Sequence, residues 1–76
     1  MLNQEMRTVT MKRGDMLRVR MALTHVVTDF RRELADPETT EDRRQIAESS
    51  LAMWERIRSE FIAQLDAQDP EEFRRK

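Results

Sequence analysis

His25 is the chain's only histidine, and Asp29 follows it by four residues. On a helix that spacing places both side chains on one face, where an imidazole and a carboxylate can pair or form one edge of a metal site. A closed metal centre needs more ligands than these, and the chain has neither a second histidine nor any cysteine. Glu48, Glu55 and Glu60 lack the Glu-x-x-His spacing of di-metal bundles. Ser49, Ser50 and Ser59 have no neighbouring base to activate a hydroxyl. Gly14 stands alone, so there is no glycine-rich phosphate cradle. Arg20 remains: it borders an apolar stripe and is the best inward-facing cation for an anionic substrate. A small helical enzyme built on one such arginine is the third reading of the chain. The first is non-catalytic, with no metal and no cofactor expected.

Hydrophobic spacing defines the elements that would position these residues. Met16, Val19, Leu23, Val26, Val27, Phe30 and Leu34 recur at three- and four-residue steps, which predicts a helix over about 15–35. Asp15, or Thr10 if the helix begins earlier, is placed to cap it. Ile46, Ala47, Ser50, Met53, Trp54, Ile57, Phe61 and Leu65 predict a second helix over about 40–67. Between them, "ADPETTED" offers Asp36 before Pro37, or Thr39 or Thr40, as the cap of the second helix. A connection this short folds the two helices back antiparallel. Residues 68–76 form a tail in which Asp69, Pro70 and Glu72 could start a short helical turn carrying Phe73. The expected fold is all-α: an antiparallel two-helix hairpin over 15–67, preceded by an extended arm over 1–14.

A hairpin buries one face of each helix, and the apolar surface here is wider. Leu17 and Met21, flanked by Thr24 and Thr28, make a second stripe on the first helix; Leu51 and Ile62 lie off the main stripe of the second. A buried large aliphatic side chain is worth roughly 1.5–3 kcal/mol, which a 76-residue domain can hardly spare. These six residues are therefore the expected protein interface, most simply with a second copy that completes a four-helix bundle.

Composition narrows the classes of function. Without cysteine there is no disulfide or thiolate. No apolar run approaches a membrane span and no signal peptide is visible, so a soluble, cytoplasmic protein is expected. Net charge is −1, yet 38% of residues are charged. Lys12 to Glu33 holds six basic and three acidic side chains; Asp36 to Glu72 holds four basic and eleven acidic. A basic half and an acidic half can face each other within the hairpin or across a dimer.

The stretch "RTVTMKRGD" at 7–15 departs from the helical pattern, alternating polar and apolar residues as a strand would. A strand before two helices resembles ribbon-helix-helix repressors, whose paired strands enter the major groove. That resemblance covers the arm alone. It implies base contacts from Thr8, Thr10 and Lys12 and phosphate contacts from Arg7 and Arg13. The helices here are longer than that fold's, and a net charge near zero gives little nonspecific hold on phosphates. DNA binding is accordingly the alternative. In the simpler reading the arm packs Val9 and Met11 onto the hairpin. The segments "TVTMKRGD" and "W…AQLDAQD" resemble short uncharacterised proteins of phages and mobile elements, which implies an accessory protein that binds a host or phage protein. The leading expectation is a non-catalytic protein-binding module.

Overall fold

The computed structural model describes residues 2–69, with side chains described from residue 3. Two helices make the hairpin: α1 at Arg13–Ala35 and α2 at Glu41–Gln68. A 3-10 turn at Leu2–Gln4 precedes them, and residues 5–12 have no regular secondary structure. The expected helix over 15–35 starts two residues early, so the last two positions of the 1–14 segment are helical. The short turn expected around Phe73 lies outside the described residues. The long axis of 45 Å matches the roughly 42 Å length of a helix the size of α2.

The ends of the helices explain the boundaries. The position before α1 is Lys12, whose side chain makes no capping hydrogen bond. Neither Thr10 nor Asp15 caps the helix. Asp15 sits inside the first turn, where a negative charge suits the helix dipole, and pairs with Arg18 at 3.1 Å. Gly14 does not break the chain; it is helical, with no positive φ. At the connection the outcome is Thr40, which caps α2 by accepting a hydrogen bond from the Arg43 N–H at 3.3 Å. Asp36 instead accepts from the Glu38 N–H at 2.9 Å and turns the chain.

Other side chains from the connection and α2 satisfy the carbonyls that end α1. The Thr39 hydroxyl donates to the Glu33 carbonyl at 2.6 Å, and the Arg44 guanidinium donates to those of Leu34 and Asp36 at 2.8 and 3.3 Å. Arg43 forks onto the Glu33 carboxylate, with its shortest contact at 2.8 Å. Such a connection holds the helices antiparallel, in a register that sets Arg58 against Thr24 and Arg31 against Glu55.

Between the helices runs a heptad seam. On α1 the residues withdrawn from solvent include Met16, Arg20, Leu23, Val27, Phe30 and Leu34; on α2 they include Ala47, Leu51, Trp54, Arg58, Phe61 and Leu65. Both series alternate steps of four and three, the repeat of packed helices. The α2 stripe expected from a strict helical period is corrected here. Ile46 and Met53 are 52% and 44% exposed, because each precedes a seam position by one residue and turns outward. Among the described apolar side chains, full burial is confined to Met16, Val27, Ala47 and Leu65. The aromatic rings of Phe30, Trp54 and Phe61 keep partial exposure, as expected of a core only one seam wide.

An ion pair closes the open end of the hairpin. Asp69, which follows α2 and is 7% exposed, receives Arg13 from the first turn of α1 through Nε at 2.7 Å and a terminal nitrogen at 3.2 Å. The hydrogen bond and charge of Asp69 hold the Arg13 guanidinium above the ordinary arginine range. A cation with a raised pKa keeps its contribution at every pH below that range, so the guanidinium half of this clasp is retained throughout working conditions. Asp69→Asn is expected to lower the urea midpoint. Glu5→Gln, which weakens an exposed pair with Arg7, is expected to leave it unchanged. Equal midpoints for the two variants would show that the clasp carries no stability.

Candidate functional site

The two faces of the hairpin differ. On one, the N-terminal segment lies along the C-terminal half of α2, where Asn3–Arg7 line a hollow with Ile57, Phe61 and Gln64. The Val9 N–H donates to Gln64 Oε1 at 2.6 Å, and Gln68 Nε2 donates to the Val9 carbonyl at 3.3 Å. The other face has no such cover. There the helices leave an open groove of about 540 Å³.

Leu17, Met21 and Ile62 give this groove its apolar surface, and Met21 is 62% exposed. Arg20, Thr24, Arg58 and Asp66 supply the polar groups. Arg20 and Arg58 occupy seam positions, where leucine or isoleucine is the usual occupant. Each keeps its charge at the edge of the core by directing its head outward while its stem packs inside. Arg58 is anchored: its Nε donates to the Thr24 hydroxyl at 2.9 Å, and that hydroxyl donates to the Arg20 carbonyl at 3.0 Å. The rest of the Arg58 head, the Arg20 guanidinium and the Asp66 carboxylate have no hydrogen bond or ion pair among the described residues. Two other pairs on the hairpin contrast with them: Arg31 with Glu55 at 2.6 Å, and Arg56 with Glu60 at 3.4 Å.

Four of the six residues expected at an interface, Leu17, Met21, Thr24 and Ile62, line this one groove. Thr28 is exposed one turn beyond its lining, and Leu51 is partly buried on the seam. Arg58 and Asp66 were not foreseen. Their signal is the spacing Arg58-x3-Ile62-x3-Asp66, which puts three residues on one face of α2 at four-residue steps.

The remaining candidates are scattered. His25 is exposed, and Asp29 pairs with Arg32 at 3.3 Å. No group of three or more acidic or histidine side chains comes together as a cation site among the described residues. Of the residues expected to contact DNA, Arg7 pairs with Glu5 and Arg13, the first residue of α1, with Asp69, while Thr8, Thr10 and Lys12 are exposed. Among the described residues no helix is long and apolar enough to cross a membrane. No family model, curated protein or solved structure matches the chain, so the resemblance to phage proteins finds no support there.

The seam arginines yield a direct expectation. Arg20→Leu places an apolar side chain at a seam position and is expected to raise the stability of the hairpin by about 1 kcal/mol, read from its urea midpoint. A fall in the midpoint would show that the guanidinium is there to hold the fold.

Proposed function

We propose that the chain is a non-catalytic protein-binding module whose binding surface is the groove formed by Leu17, Arg20, Met21 and Thr24 of α1 with Arg58, Ile62 and Asp66 of α2. The observation that carries this reading is the pair of arginines on the seam. They weaken a core that is already small, and they stand beside an exposed apolar strip without forming a salt bridge among the described residues. Residues that break a local packing rule without local compensation mark function more often than stability. The uncovered state of this face, opposite one covered by the chain's own N-terminal segment, supports the same reading.

A binding surface of this kind combines an apolar centre with polar groups that set orientation. The apolar side chains supply affinity, and the unpaired charges select the partner. Leu17→Asp combined with Met21→Asp is expected to abolish association while leaving helical circular dichroism intact. Unchanged mass in solution and unchanged partner retention would overturn the reading.

The DNA-binding alternative requires residues 7–13 to be presented as a strand. In the single chain the Val9 N–H and carbonyl, which a ladder would use, are bonded to Gln64 and Gln68. If DNA is nonetheless the target, combined Thr8→Ala, Thr10→Ala and Lys12→Ala is expected to abolish retention on duplex DNA at low salt. No retention of the wild type would dismiss that alternative. The small-enzyme reading would assign Arg20 and Arg58 to an anionic substrate. The groove lining offers no histidine to move a proton.

A further inference from the structure

We infer that the groove's partner is a second copy of the same chain, docked about a two-fold axis passing at Ile62 so that Arg58 of each copy meets Asp66 of the other. The inference rests on the proposed reading of the groove as a protein-binding surface.

Its basis is the symmetry of the charges on α2. Arg58, Ile62 and Asp66 follow one another at four-residue steps on one helix face, with a cation at one end, a carboxylate at the other and an isoleucine midway. Laid antiparallel against itself about Ile62, this face is self-complementary: each guanidinium faces a carboxylate and the two isoleucines meet at the axis. A two-fold interface requires such a pattern, because the same patch must serve both sides. Neither charge is paired among the described residues. The Asp66 carboxylate has no partner among the described residues, and Arg58 is held by Nε alone, which leaves its terminal nitrogens for a carboxylate.

The neighbouring helix adds to the same face: Leu17 and Met21 of α1 line the groove beside Ile62, and Arg20 supplies it with a second cation. An acidic peptide would match the two arginines equally well but would set its own charge against Asp66. The second copy satisfies all three.

The test is a charge-reversal cycle on the full chain, read as mass by light scattering and by sedimentation at micromolar concentration. The wild type is expected at twice 9.1 kDa. Arg58→Glu and Asp66→Arg alone each set like charges opposite one another twice per dimer and should weaken self-association by about tenfold or more. Mixing the two single variants should restore association as a heterodimer, since every facing pair is then opposite in charge; the double variant should also dimerise. Recovery on mixing also shows that each variant folds. A monomeric wild type overturns the inference and leaves the groove to a different protein. A dimeric wild type that Leu17→Asp with Met21→Asp dissociates, but whose single variants fail to pair on mixing, overturns the Ile62 register while keeping the groove. Dimerisation that survives Leu17→Asp with Met21→Asp overturns the reading of the groove itself.

Discussion

Everything in this structure follows from the narrowness of its seam. Two antiparallel helices can bury one heptad stripe each, and among the described apolar side chains only Met16, Val27, Ala47 and Leu65 are fully withdrawn from water. A core of that size gives little margin over chain entropy. The fold compensates at its ends. At the connection Thr39, Arg43 and Arg44 tie α1 to α2. At the open end Arg13 and Asp69 close the ring. These polar ties set register and angle, while the seam between them supplies what burial there is.

Against that background the placement of Arg20 and Arg58 is costly to the isolated hairpin. A leucine at either position would extend the core, and the chain has many exposed sites where arginine costs nothing. Their location also gives the hairpin its two unlike faces. One carries the N-terminal segment. The other offers charges, an apolar strip and a threonine that fixes one guanidinium in place.

The sequence made the hairpin legible because its strongest signals are local. Apolar residues at three- and four-residue steps located both helices to within two residues, and Thr40 was among the caps foreseen for α2. The errors have a common cause. A stripe projected at the straight-helix period drifts about 20° per heptad from a 3.5-residue seam. Over a helix of 28 residues that drift is large enough to draw Ile46 and Met53 into the expected core and push Leu51 out of it. It also hid Arg58, since a charged residue is not read as a seam position until the apolar residues on either side define the repeat. Residues 7–13 misled for a different reason. Their alternation is real, but a two-residue period needs a neighbouring strand to become a ladder. Without one among the described residues, glutamine side chains of α2 take the Val9 backbone groups instead.

Those glutamine contacts bear on the order in which the chain can assemble. The bonds at the connection join residues no more than 10 apart, whereas those from Val9 span 55 and 59 positions and the Arg13–Asp69 clasp spans 56. Closing the shorter loops costs less chain entropy. The hairpin is therefore cheapest to start at its turn and to zip towards its termini, as is usual where local contacts dominate. The groove lies near the far end of that zipper, between residues that meet only when most of the seam has formed. Its surface is consequently a late product of folding, and a partner that recognises it reads a finished molecule.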